Sequence, residues 1–189
     1  MATIEVIQEE ERKITVKQLF EMDLEEGYFY ELINGIIVRK QAPAPTHQRA
    51  SMRISTMMNN FIIEKKLGEL FAAPIDVFFD NYNNSHPDIL FVKKERDFLV
   101  TRHGIEGAPD LIVEILSPST FKTDRKDKFE MYLSFGVPEY WIVDPKNQSI
   151  EVYVLENNQY KMQFFAIENG LIQSKVLEGL NIEVSNIFV

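Results

Sequence analysis

Between residues 109 and 145 the chain reads as strand, helix and strand, and this run constrains the fold more than any other feature. Leu111-Ile112-Val113-Glu114-Ile115-Leu116 is apolar on both alternating faces, which suits a central strand covered from both sides. A helix follows from about Ser119 or Thr123 to Phe135, with Gly136 suited to the left-handed residue that closes it. Glu139-Tyr140-Trp141-Ile142-Val143-Asp144 then returns as a second buried strand. A strand–helix–strand unit of this length makes the two strands parallel.

Glu114 is the anomaly within that run. An ionised carboxylate in a buried strand loses hydration worth several kcal/mol unless a cation or hydrogen-bond donors replace the water. Either a metal ion or a lysine is expected against it. On a helix advancing about 100° per residue, Phe121, Tyr132 and Phe135 form an apolar stripe with Lys128 in its middle. Lys122, Lys126, Asp127 and Glu130 fall to the edges or the far side. Arg125, on the same side as Lys128, and Asp124, four residues before it, add further charge.

If Glu114 holds a divalent ion, a second oxygen ligand must approach to roughly 2–2.6 Å of that ion. Asp110 lies about 13 Å along the same strand at about 3.3 Å per residue, too far to share it. A neighbouring strand must supply the ligand. Asp88, after Pro87 and before the apolar run Ile89-Leu90-Phe91-Val92, is the best candidate, with Asp76 and Asp80 weaker because both lie beside turns.

The remaining elements complete an α/β chain with a mixed sheet. Thr15 caps a short helix running to Leu24 and ended near Gly27. Asn34-Gly35 between Tyr28–Ile33 and Ile36–Val38 marks a type I′ hairpin. Thr46 caps a helix from His47 to Lys66 that packs through Ala50, Ile54, Met57 and Phe61. A second hairpin joins 150–155 to 160–167 through Glu156-Asn157-Asn158, and 177–188 closes the chain. Residues 1–14 read as a polar lead-in and 15–189 as one domain.

No cysteine is present, which excludes disulfides, thiolate metal sites and a cysteine nucleophile. The charged N-terminus carries no signal-like apolar run and no stretch approaches a membrane span, so a cytoplasmic protein is expected. Twenty Lys plus Arg against twenty-nine Asp plus Glu, net −9, argues against non-specific phosphate neutralisation as the protein's task. A nuclease remains open, since ion-binding acids add to the negative count.

Several patterns together carry a family resemblance: Tyr30-Glu31-Leu32-Ile33-Asn34-Gly35, His47 after a proline-rich loop, Pro87-Asp88, the segment from Ala108 to Ser119, Asp124-Arg125-Lys126-Asp127-Lys128, and Gly136 to Asp144. From about residue 15 onward the chain resembles the Uma2 family, also called DUF820, of the PD-(D/E)XK nuclease superfamily. The resemblance implies a restriction-endonuclease-like mixed β-sheet flanked by α-helices. It implies an endonuclease hydrolysing DNA with Mg²⁺ or Mn²⁺, Asp88 and Glu114 as metal ligands, and a homodimer.

One position departs from the superfamily pattern. Two residues after Glu114, where the catalytic lysine would stand, this chain has Leu116, and the resemblance moves that role to Lys128. The helix-face argument reaches the same residue. Glu31 resembles an additional acid of the site, and His47 is expected near it.

Each of these has a plainer reading. Glu114 with Lys128 can be a structural ion pair, Asp88 a turn residue, His47 an ordinary residue of a helix N-terminus, and Ser117-Pro118-Ser119 a helix cap. Asp110 reads as structural, Tyr140 and Trp141 as core, and Met52, Met57 and Met58 as packing. The function that goes with those readings is a non-catalytic interaction or regulatory protein retaining the nuclease fold.

Overall fold

The computed structural model describes residues 13–188, so the first twelve residues of the expected lead-in lie outside the described residues. Thr15 caps α1 (Val16–Glu21) through a capping box: its hydroxyl accepts from Gln18 N while Gln18 Oε1 accepts from Thr15 N. The helix stops short of Leu24. Only Leu19 is buried on it, too little apolar face to sustain a longer one.

β1 (Phe29–Ile33) and β2 (Ile36–Lys40) form the expected hairpin, with Asn34 and Gly35 at φ 53° and 82° as a type I′ turn requires. Its register runs from Ile33 opposite Ile36 to Phe29 opposite Lys40. α2 (Pro45–Lys65) starts with Pro45 in its first turn after Ala44, so Thr46 is inside the helix and does not cap it. Proline's missing N–H is no loss at that position. The helix buries His47, Ala50, Ile54, Met58 and Ile62, with Met57 and Phe61 at the edge of the contact.

Then follow β3 (Gly68–Ala72), β4 (Val77–Asp80), β5 (Asn83–Ser85), β6 (Ile89–Lys93), β7 (Ile105–Glu106) and β8 (Leu111–Ile115). A wide π-helical turn at Thr123–Asp127 leads into α3 (Lys128–Ser134), and β9 (Glu139–Asp144), β10 (Ser149–Glu156), β11 (Gln159–Ile167), β12 (Leu171–Gln173) and β13 (Asn181–Glu183) complete the chain.

A six-stranded sheet in the order β11-β10-β9-β8-β6-β3 forms the centre, with β8 and β9 parallel and every other neighbouring pair antiparallel. A single sheet does not account for the whole: β2-β1-β5-β4-β7 make a separate five-stranded sheet, and β12-β13 pair alone. Alternation along the central strands divides the core in two. Leu111, Val113 and Ile115 pack with α2 and the C-terminal segments, whereas Ile112 and Leu116 pack with Met131 and Tyr132 of α3 and with residues of the smaller sheet. Glu114 falls by alternation on the side of Ile112 and Leu116.

Candidate active site

β6 and β8 run antiparallel with Ile89 opposite Val113 and Leu90 opposite Ile112. One further step of that register sets Asp88 against Glu114 at the end of both strands. The backbone amide of Ile115 donates to Asp88 Oδ2 (2.7 Å), which also lies 3.1 Å from His47 Nε2. The two acids singled out from sequence therefore stand side by side on neighbouring strands.

Lys128 is fully buried, and its ammonium donates to Glu114 Oε1 (2.8 Å) and to Glu31 Oε1 (2.7 Å). Asp124 Oδ1 stands 3.8 Å from it. Tyr132 donates its hydroxyl to the same Glu114 oxygen (2.7 Å) and meets Ser85 Oγ at 3.2 Å. Glu31 enters from the smaller sheet, accepting also from His86 N (2.8 Å). The structure thus brings Glu31, Asp88, Glu114 and Lys128 into one region, with His47 beside Asp88.

Two members escaped sequence reasoning or were undervalued. Lys40 was not singled out, yet its ammonium lies 3.4 Å from Glu31 Oε1 and 3.9 Å from Glu114 Oε2. The hairpin register held the signal: the Asn-Gly turn fixes Phe29 opposite Lys40 and Glu31 opposite Val38, so Lys40 and Glu31 share a face. Asp124, noted as a neighbouring charge, is buried, with Oδ1 lacking a hydrogen-bond partner among the described residues.

Arg125 leaves the site. It makes a bidentate pair with Glu151 (3.1 and 2.7 Å) and its guanidinium lies 5.2 Å from the centre of the exposed Phe121 ring. The cause is the π-helical turn, in which Lys128 N bonds to Thr123 O five residues back. A wider turn advances each residue by less than 100°, which brings Asp124 inward and sends Arg125 out.

Other candidates have structural partners. Asp76 Oδ1 meets His86 Nε2 (2.9 Å) and accepts from Asn84 Nδ2 (2.8 Å). Asp80 accepts from Tyr82 N and Asn83 Nδ2 in its turn. Asp110 accepts from Lys93 N and Arg96. Ser117 Oγ bonds within its own turn to Ser119 and Thr120.

Four carboxylates, from Glu31, Asp88, Glu114 and Asp124, face two ammonium groups, from Lys40 and Lys128. The surplus shows in their protonation. Burial works against ionised Glu31, but Lys128 and Lys40 override it and lower the carboxyl to about 2. Glu114 shares Lys128 yet is raised, because burial, Asp88 and Glu31 together outweigh the lysines. Asp124 is pushed up to about 7 by burial and by Glu114.

Burial alone would also depress His47, yet the hydrogen bond and charge of Asp88 raise it. Lys128, against its burial, is held well above its ordinary value by Glu114 and Glu31. Asp88 is lowered despite burial by His47 and Lys40.

A surplus of hard oxygen donors with two buried oxygens lacking hydrogen-bond partners among the described residues, Glu31 Oε2 and Asp124 Oδ1, suits a hard divalent cation. No three His, Asp or Glu side chains converge to hold an ion among the described residues. Asp88 and Glu114 are the two carboxylates that could hold such an ion, with water completing the shell, as Mg²⁺ tolerates.

A cleft of about 340 Å³ opens onto this region, with Asp88, Asp124, His47 and Lys40 in its wall. Glu114 and Lys128 lie behind them.

The central sheet, its helix on each face and the acids at one end of neighbouring strands define the restriction-endonuclease-like class. The chain belongs to the Uma2 family, described as "Putative restriction endonuclease", whose model matches residues 16–185. It is similar in structure to a protein from Anabaena variabilis described as a "putative nuclease belonging to DUF820" (TM-score 0.74, 21% identity, 93% of this chain and 97% of that one). It is 24% identical over 125 residues to the uncharacterized protein sll1609 of Synechocystis, covering 65% of this chain and 70% of that protein.

Proposed function

We propose that this protein is an Mg²⁺- or Mn²⁺-dependent endonuclease that hydrolyses DNA phosphodiester bonds at the cleft. The observation that carries the reading is the register of β6 and β8, which sets Asp88 beside Glu114 with the Lys128 ammonium on the latter. A bound cation would polarise the scissile phosphate and acidify an attacking water. Asp88, kept ionised by His47, Lys40 and the Ile115 amide, and Glu114, oriented by Lys128 and Tyr132, would be its protein ligands. Lys128, kept protonated, supplies positive charge against the charge that develops on the phosphate. Glu31 holds Lys128 from the other side. Among the described residues no helix is long and apolar enough to cross a membrane. A cytoplasmic homodimer accompanies this reading, its two-copy state tested by analytical ultracentrifugation.

The enclosure of Lys128 and Glu114, at 0% and 1% exposure, favours a second reading, a non-catalytic interaction or regulatory protein whose ion pair only braces α3 on the sheet. One assay separates them. The protein is incubated with linear, circular and single-stranded DNA in Mg²⁺, Mn²⁺ and EDTA, comparing wild type with Asp88→Asn, Glu114→Gln and Lys128→Met. Metal-dependent cleavage lost in all three supports the nuclease; cleavage equal in all four proteins, or none in any, supports the second reading.

A further inference from the structure

The cleft has three walls that the proposed chemistry does not use: the loop with Pro43, the turn at Pro74, and the Ser117–Thr120 loop. Its volume lies near the lower end of the roughly 300–1,000 Å³ of small-ligand pockets. Phe29, the first residue of β1, stands on its wall with 42% of its surface exposed. His86 holds that ring edge-on, centroids 6.3 Å apart at 60°. Hairpin register places Phe29 directly opposite Lys40, beside the acids.

Charge on the walls excludes one kind of substrate. Among the described residues no arginine lines the cleft and Lys40 is its one lysine. That ammonium is 14% exposed and already faces Glu31 and Glu114. Proteins that track a duplex do so through many Lys and Arg contacts to phosphate. Here the charged groups of the wall besides Lys40 are the carboxylates Asp88 and Asp124, and the rest is mostly apolar or neutral, with Gln48 and Ser51 as uncharged hydrogen-bonding groups. Asp88, at 8% exposure, lies deep enough that a phosphate must enter the cleft to reach it. A rigid duplex does not fit such a space, whereas a nucleotide taken out of its stack does.

We infer that the cleft receives one unpaired nucleotide, its base stacked on Phe29 and its phosphate against the cation that Asp88 would hold, so that the substrate is a single strand, a flap or an unpaired end. This rests on the nuclease reading. Base–aromatic stacking tolerates any sequence and supplies affinity where phosphate contacts are few.

The test is fluorescence anisotropy of the full chain with a fluorescein-labelled single-stranded DNA, the same sequence as blunt duplex, and the single-stranded RNA equivalent. Ca²⁺ replaces Mg²⁺ to block cleavage. Single strands are expected to bind at least about tenfold tighter than duplex. Phe29→Ala should weaken single-strand binding by about ten- to a hundredfold, the size of one lost stack, and Phe29→Tyr should restore it. Thermal melts of both variants establish that each is folded.

Duplex binding equal to or tighter than single-strand binding, or unchanged affinity in folded Phe29→Ala, overturns the inference. If duplex is then cut in a Glu114-dependent way, the nuclease reading stands alone. No binding to any of the three oligonucleotides overturns both.

Discussion

Two buried glutamates on adjacent parallel strands meet opposite fates. Glu139 begins β9 opposite Leu111, and Glu114 lies near the end of β8 opposite Ile142, so they occupy opposite ends and opposite faces of one strand pair. Glu139 accepts four hydrogen bonds from neutral donors: Trp141 Nε1 (2.6 Å), Ser174 Oγ (2.7 Å), Lys175 N (2.7 Å) and Val176 N (2.9 Å). Among the described residues no cation and no cleft wall is involved. Glu114 has two lysines, a tyrosine and three acidic neighbours. A carboxylate fully satisfied by fixed dipoles ties chain segments together. One crowded by other carboxylates retains a demand for positive charge, which is the condition a divalent ion meets.

The largest separation between the two should come from Glu114→Gln and Glu139→Gln compared directly. Glu114→Gln is expected to lower metal-dependent cleavage by about a hundredfold or more, the scale of losing one electrostatic contact in a reaction site, with a small change in unfolding temperature. Glu139→Gln should do the reverse, because its new amide N–H₂ opposes two N–H donors. A loss of about 3 kcal/mol shifts the unfolding midpoint of a chain this size by roughly 6–12 °C, read by circular dichroism. Equal effects of the two substitutions on cleavage would break the distinction.

Next in size is the response to metal. Mn²⁺ at about a hundred times its dissociation constant should stabilise wild type by about 2.7 kcal/mol and Asp88→Asn by far less. Differential scanning calorimetry measures both, and Glu139→Gln should retain the full response.

A smaller effect tests the charge surplus in the metal-free protein. Asp124 has its carboxyl at about 7 when folded against 3.8 in its ordinary state. A raised acid binds its proton more tightly in the folded state, so it disfavours folding above about pH 7 and ceases to do so below about pH 4. Asp124→Asn is expected to be more stable than wild type at about pH 8, with the advantage vanishing as the pH falls toward 4. Urea unfolding across that range reads it. The smallest expected change is Arg125→Gln, which breaks the Glu151 pair, costs about 1 kcal/mol and leaves cleavage as it is.

Much of the site was legible because it lies in regular elements. The unbroken apolar run exposed Glu114 as an anomaly, helical spacing turned Lys128 inward, and the need for a neighbouring-strand ligand selected Asp88. Arg125 was misplaced by the same reasoning, since no residue pattern announced the π-helical turn that rotates it away. Lys40 was readable from hairpin register, but its relevance required knowing that the smaller sheet lies against α3. The partners of Glu139 were not readable at all: Ser174 is thirty-five residues further along, in a segment with no periodic signal.

Local order in this chain, namely strand–helix–strand handedness, the Asn-Gly hairpin and the inward lysine, follows from backbone sterics and the alternation of polar and apolar side chains, which act over a few residues. Packing alone decided that a separate five-stranded sheet forms beside the central one, that Glu31 and Lys40 reach Glu114 across the two, and that one buried acid is fully satisfied while the other is left with excess negative charge. Those outcomes depend on distances between segments remote in sequence, and electrostatic energy in a low-dielectric interior is set by such distances.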